Sequence, residues 1–381
     1  MKIAMILPHF YPYVGGGEKL FYDLAKGLVE RGHTVRVVTT KVDVVYSGQK
    51  SVDGIDVWYC DWKEFFGHPL PVKKEIEEHI EWCDVAHTSI FTPAHIVSKL
   101  ARKYHKASVM TVHEVRGNKW YWADDFIHAT GFFLYEQYVC RQKYDVYHAV
   151  SESTKRDFHT FCGKNKNVTM VYNANEMEPS LGRDSLFDLN NYFELEKGMK
   201  TFLYYGRPGK TKGIYVYLDA IKSLSKKGIN FDETRFCFIL GAEPADLRQK
   251  FIEDVRNAGL EEIVLIRDSV PRADLCKAIE QSEYVVVPSL TEGFGFSALE
   301  ACQMGKRLIY SNGCSLPEVV YGKCIGFKNR DAGDLAKKIE QVIKVGEKAF
   351  QTIPPKNFSY ERMIEGVIEI YKNLLYSEQF K

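Results

Sequence analysis

Apolar positions along this chain follow two alternating rhythms. Residues 3–7 form an unbroken apolar run, the pattern of a parallel strand buried on both faces. A loop rich in Pro and Gly covers 8–17. In 18–31, Leu20, Leu24 and Leu28 share one stripe, with Phe21, Ala25 and Val29 beside it. That spacing predicts a helix, and Gly32 stands where a C-terminal capping glycine belongs. Residues 34–39 are β-rich. Strand, helix, strand at this spacing is a right-handed parallel crossover. The pattern repeats, with strands predicted at 85–87, 108–112, 147–150 and 168–172, and helices at 92–104 and from 152.

Periodicity lapses over 173–199, a stretch rich in Asn, Asp, Glu, Gly and Ser that reads as an interdomain connection. A second α/β series follows. Its strands are predicted at 201–205, 235–240, 263–266, 284–287 and 307–310. Its helices are predicted at 214–224, 245–258, 272–281, 296–304 and 334–345, and a last helix runs from 359 to about 375 after Pro354-Pro355. The expected division is 1–185 and 186–355. Two doubly wound α/β domains so joined set a cleft between them, with ligand sites at the C-terminal ends of parallel strands.

Composition narrows the class. Lys and Arg total 51 against 50 Asp and Glu, a net charge of +1, which argues against a chain built to grip nucleic acid. No apolar run reaches the ~20 residues of a membrane span, and the opening run is too short for a secretory signal. The nine cysteines are odd in number and contain no CxxC pair, so neither a disulfide framework nor a zinc knuckle is expected. Reduced, mostly buried thiols in a cytoplasmic chain are.

Three loops carry candidate chemistry. In Pro288-Ser289-Leu290-Thr291-Glu292-Gly293-Phe294-Gly295, the glycines let backbone N–H groups approach a ligand at a helix start, a setting that suits a diphosphate. Glu292 in the loop and Glu300 about one turn into the helix, separated by at most about 12 Å over eight helical residues, can accept hydroxyl hydrogen bonds at opposite ends of a phosphate-linked ligand. An ordinary strand–turn–helix with surface glutamates is the plain alternative. In Gly206-Arg207-Pro208-Gly209-Lys210-Thr211-Lys212-Gly213, Arg207 and Lys212 can neutralise a phosphate pair, or the loop is a solvent-exposed basic turn. It is not a Walker loop. Pro12-Tyr13-Val14-Gly15-Gly16-Gly17-Glu18 again sets N–H groups at a helix start but lacks the GxGxxG dinucleotide fingerprint. His113 follows a strand at its C-terminal end, a position that favours function over a structural role.

These residues resemble a known family over nearly the whole chain: the retaining glycosyltransferases of the GT-B fold, family four, the glycosyl transferases group 1 type. The resemblance lies in Gly15-Gly16 with Glu18, in Arg31-Gly32-His33, and in Gly206-Arg207 followed by Lys212-Gly213. It lies also in Glu292 and Glu300 within Pro-Ser-x-x-Glu-Gly-Phe-Gly, and in Pro317-Glu318-Val319. Asn173-Ala174 replaces a frequent Asn-Gly, and Thr211 stands where an acidic residue often precedes the lysine. The resemblance implies an acceptor-side domain over 1–185, a nucleotide-sugar domain over 186–355 facing it across a cleft, and a terminal helix, 356–381, crossing back onto the first.

It also implies the roles. Arg207 and Lys212 would hold the diphosphate of a UDP-, GDP- or ADP-sugar, with Gly206 in the same loop, and so replace a metal; no metal site or cofactor is expected, and Asp124-Asp125 is a poor substitute for the DxD triplet. Glu300 would accept the ribose hydroxyls. Glu292 with Gly293, Phe294 and Gly295 would hold the donor sugar, His113 would sit near its reacting face, and Gly16 near the diphosphate and acceptor. The acceptor expected is a hydroxyl on a glycan or lipid-linked glycan. Residues 97–122 carry six cations against one acid and end in Trp120-Tyr121-Trp122, which raises a peripheral contact at the inner face of the membrane, against a solvated helix with aromatic packing. A sugar-nucleotide 2-epimerase and a non-catalytic nucleotide-sugar-binding protein are the rival classes.

Overall fold

The computed structural model describes residues 1–13, 15–65, 68–122, 125–177 and 179–378. Val14, Asp124 and residues 379–381 of the terminal stretch, all named above, lie outside the described residues. The chain divides into two compact units, Met1–Ala174 with Phe358–Lys381, and Asn175–Asn357.

The first unit contains β1 (Lys2–Ile6), β2 (Thr34–Thr40), β3 (Gly48–Val52), β4 (Ile55–Cys60), β5 (Lys63–Phe65), β6 (His68–Leu70), β7 (Val85–Ser89), β8 (Ala107–Val112), β9 (Val146–Ala149) and β10 (Val168–Met170). Its main sheet has the order β10-β9-β8-β7-β1-β2-β4-β3, while β5 and β6 form a separate antiparallel pair. Every main-sheet pairing is parallel except β3 on β4. Alternation along β1 feeds two cores: Ile3 and Met5 pack against helix Gly16–Glu30, while Ala4 and Ile6 join the core on the opposite face. The first core also takes Met363, Val367 and Tyr371 from helix Tyr360–Glu378. That helix comes close enough that a Cβ on Gly27 would meet Ile364 Cδ1 at 2.1 Å.

The second unit contains β11 (Lys200–Gly206), β12 (Thr234–Leu240), β13 (Val264–Asp268), β14 (Tyr284–Val287), β15 (Arg307–Ser311), β16 (Gly322–Phe327) and β17 (Gln351–Ile353). The order is β13-β12-β11-β14-β15-β16-β17, parallel until β17 runs antiparallel to β16. Phe202 and Tyr204 enter one core and Leu203 and Tyr205 the other.

Strand order reverses between β1 and β7 in one sheet and between β11 and β14 in the other. At such a switch point the flanking loops leave in opposite directions and open a crevice at the strand C-termini.

The expected connection is not a linker. Met177, Leu189 and Phe193 are buried in the second unit's core, so the division falls after Ala174 rather than near 185. Two of the elements that the apolar rhythm does not predict have polar or uniformly apolar patterns. β3 is exposed on nearly every residue, and helix Phe126–Cys140 is apolar around most of its circumference.

Candidate functional site

The loops after β11 and β14 flank the switch point of the second sheet, and they are stitched together. Leu290 N–H donates to the Thr211 carbonyl at 2.8 Å. Gly213 has φ +72°, and a Cβ there would lie 1.8 Å from the Pro288 carbonyl oxygen, so only glycine permits this approach. The contact brings Lys212 to Glu292. Lys212 Nζ donates to Glu292 Oε1 at 2.7 Å, and Ser289 Oγ donates to the same oxygen at 2.9 Å. Arg207 is exposed on this loop, with its backbone carbonyl accepting from Tyr204 OH at 3.1 Å. Its guanidinium has no hydrogen bond or ion pair among the described residues. The buried Tyr204 phenol lies in the field of both charged groups: burial and the Glu292 carboxylate push its pKa up, and Arg207 opposes them.

Beyond Glu292 the chain turns through Gly293, Phe294 and Gly295. Ser315 Oγ shares its hydrogen between the carbonyls of Glu292, at 3.0 Å, and Phe294, at 2.9 Å. Gly295 takes φ +99°, where a side chain would also strike Leu316 Cδ2, and helix Phe296–Gln303 begins at the next residue. Glu300 sits in that helix, 6% exposed. Its Oε1 accepts from Arg272 Nη1 at 2.8 Å and from Asn175 Nδ2 at 3.4 Å, and Arg272 Nη2 donates to Asn175 Oδ1 at 3.1 Å. The Thr291 hydroxyl, in the same loop, is buried with no partner among the described residues.

His113 and Gly16 belong to the first unit, at the C-terminal side of that sheet. Gly16 is exposed and opens helix Gly16–Glu30. A Cβ on its neighbour Gly17 would lie 3.6 Å from the His113 ring, which stands edge-on to Phe21 at 5.8 Å. Burial, with a smaller contribution from His148, holds the His113 imidazole down at about 4, so it is neutral at ordinary pH. Among the described residues, no group of three His, Cys, Asp or Glu is placed to hold a metal ion. All nine cysteines are free, seven of them buried.

The sequence singles out both glutamates but not what steadies them. Arg272 and Asn175 approach Glu300 from the start of another helix and from the segment that reads as a linker. Ser289 stands out in sequence only as part of a motif. A lone arginine after Pro271 carries no pattern that points to a carboxylate 28 residues on. The basic stretch 97–122 is also less charged than it reads, because Lys103 pairs with Glu77, Lys119 with Asp157 and Arg116 with Glu114.

Two family models match the chain: Glycosyltransferase Family 4 over residues 14–177 and Glycosyl transferases group 1 over residues 190–354. The chain belongs to the group 1 glycosyltransferases. Among curated relatives, N-acetyl-alpha-D-glucosaminyl L-malate synthase of Bacillus anthracis is 22% identical, with 96% of each chain covered. A component of the human phosphatidylinositol N-acetylglucosaminyltransferase is 24% identical over 90% of this chain and 68% of its own. Among solved structures, Anabaena HepE in complex with UDP and glucose superposes with a TM-score of 0.73 at 15% identity, covering 98% of this chain and 99% of that one. The glycosyltransferase has the GT-B fold, and no described helix in it is long and apolar enough to cross a membrane.

Proposed function

We propose that this glycosyltransferase is retaining and metal-independent, and that it moves a hexosyl group from a nucleoside-diphosphate sugar to a hydroxyl of a glycan or lipid-linked acceptor. The observation that carries the reading is the joined pair of loops at the β11/β14 switch point, which sets Lys212 against Glu292 with the unpartnered guanidinium of Arg207 on the same loop.

In this reading Arg207 and Lys212 grip the diphosphate. As the bond from the anomeric carbon to the phosphate oxygen breaks, the departing nucleoside diphosphate gains charge that the two cations offset. The acceptor oxygen bonds to the anomeric carbon on the same face, and its proton passes to the leaving phosphate oxygen. Glu292 and the Gly293-Phe294-Gly295 backbone hold the sugar. Glu300, with one oxygen already committed to Arg272, offers the ribose hydroxyls the other. Gly16 lets the diphosphate and acceptor approach a helix N-terminus, and the neutral His113 accepts from a sugar hydroxyl rather than competing for the phosphates. The UDP complex of HepE and the phosphatidylinositol in the human relative's name support this donor and acceptor chemistry. The enzyme would then work in the cytoplasm, at the membrane's inner face when the acceptor is lipid-linked.

A thermal-shift panel of UDP-, GDP- and ADP-sugars tests the donor, since a ligand bound only to the folded state raises the midpoint. Arg207→Ala is expected to lower turnover by about a hundredfold or more with an unchanged melting temperature, as the side chain is exposed. Wild-type turnover in that variant removes the diphosphate assignment. Donor conversion without an acceptor would instead mark an epimerase, and donor binding with no turnover a binding protein.

A further inference from the structure

Helix Phe126–Cys140 buries Ala129, Val139 and Cys140 yet turns its larger apolar side chains outward. A surface helix of a globular protein keeps its apolar stripe inward and its polar residues outward. Here Glu136 and Gln137 are buried, and the Glu136 carboxylate accepts from the backbone N–H groups of Arg116, at 2.8 Å, and Gly117, at 2.7 Å. The outward arc carries Ile127, Leu134 and Tyr138 in line, with Tyr135 beside them and Phe126 at the first turn; Ile127 is 80% exposed and Leu134 61%. Single exposed apolar residues need no explanation, but a contiguous helical face of them marks an interaction surface.

The charge around this face identifies its partner. Arg141 and Lys143 are exposed at the helix's end. His95 bonds to Tyr138 OH at 2.5 Å and so ties the face to helix Ala94–Lys103, which presents Lys99 and Arg102 to solvent. Among the described residues at the helix's entry, the acid Asp125 is engaged by His128 at 2.6 Å. Fifteen residues are too few to span a bilayer, whose hydrocarbon needs about 20, so the helix suits the plane of the interface. Tyrosines on such a face match the headgroup boundary, where a ring is buried and its hydroxyl stays wet.

From this juxtaposition of an outward apolar helix face with cations at its end and flank that have no ion pair among the described residues, we infer that the first unit docks on an anionic bilayer through residues 126–143. The inference deepens the proposed lipid-linked acceptor, since docking would bring the enzyme to a substrate held in the membrane. The sequence pattern places the contact at 97–122, where three cations are already paired. The structure moves the apolar part of it one element later.

The test is sedimentation of the full chain with vesicles of phosphatidylcholine alone and of phosphatidylcholine with phosphatidylserine. Binding to the anionic vesicles is expected, weakened by salt. Ile127→Asp combined with Leu134→Asp is expected to lower partitioning by roughly tenfold or more, since each loses a buried aliphatic side chain and places a charge at the interface. Arg141→Glu with Lys143→Glu is expected to lower it at low salt only. A wild-type chain that pellets with neither vesicle overturns the proposal, as does the aspartate variant pelleting like wild type. Self-association abolished by that variant, without vesicle binding, gives the face to a second copy and also overturns it. Donor thermal shifts on the same samples separate the outcomes: a donor that stabilises a chain indifferent to vesicles removes the docking and leaves the transferase reading standing.

Discussion

At the scale of single residues, the candidate site is a pair of carboxylates, each held by one cation and one neutral donor. Glu292 is steadied by Ser289 and Lys212, and Glu300 by Arg272 and Asn175. Removing Arg272 leaves a buried carboxylate with only an amide partner. Because Arg272 is 40% exposed on its side chain, solvent screens the pair, and Arg272→Ala is expected to cost only about 1–2 kcal/mol of stability. Its larger effect is expected on the donor: a KM raised about tenfold with a smaller change in kcat, since Glu300 would lose its orientation. Arg272→Lys, which cannot bridge Glu300 and Asn175 in two directions, is expected to recover little. Steady-state kinetics beside thermal denaturation checks this, and an unchanged KM would make the network purely structural. The two glutamates were legible from their motif because a glycine loop and a helix start follow each other in sequence. Their partners were not, since they converge from segments far apart along the chain.

At the scale of elements, the terminal helix is fastened by a hydrogen-bond chain of fixed direction. The Val171 carbonyl can only accept, so His148 Nε2–H donates to it at 3.0 Å. Thr111 OH then donates to His148 Nδ1 at 3.0 Å, His87 Nε2–H to Thr111 at 2.7 Å, and Tyr371 OH to His87 Nδ1 at 2.6 Å. Both imidazoles must be neutral for every bond to form. Burial holds His148 down at about 4, and burial with the neighbouring histidines holds His87 well below its ordinary range. An unfolded histidine takes its proton near 6.5. The stabilisation is therefore complete above that pH and lost as pH falls toward the folded value. For His148 the loss is about 2 kcal/mol by pH 5. A melting temperature that declines from about pH 6.5 to 5, more shallowly in His148→Gln, is the expected result. A profile flat across that interval in the wild-type chain would contradict it. None of this order was visible in sequence, where the four elements that supply its side chains read only as strands and a helix.

For the whole molecule, the first unit is discontinuous. Its core closes only when Met363, Val367, Ile370 and Tyr371 return after the entire second unit has been made. Truncation after Asn357 is expected to expose Leu20, Leu24 and Leu28 and to lower or abolish the first unit's cooperative melt while leaving the second unit's intact. Differential scanning calorimetry reads the two transitions, and a truncated chain with an unchanged profile would refute the dependence.

Hydrophobic rhythm alone determined that this chain alternates strands and helices in two series, because buried parallel strands and amphipathic helices each leave a local period. The glycine and charge motifs placed the candidate loops at strand ends for the same local reason. Tertiary structure decided the rest: that 175–199 belongs to the second core, that three of the basic stripe's six cations are paired, that Arg272 serves Glu300, and that helix Phe126–Cys140 turns Ile127, Leu134 and Tyr138 outward. Each of these depends on which distant segment occupies the space beside a residue, and no local period carries that information.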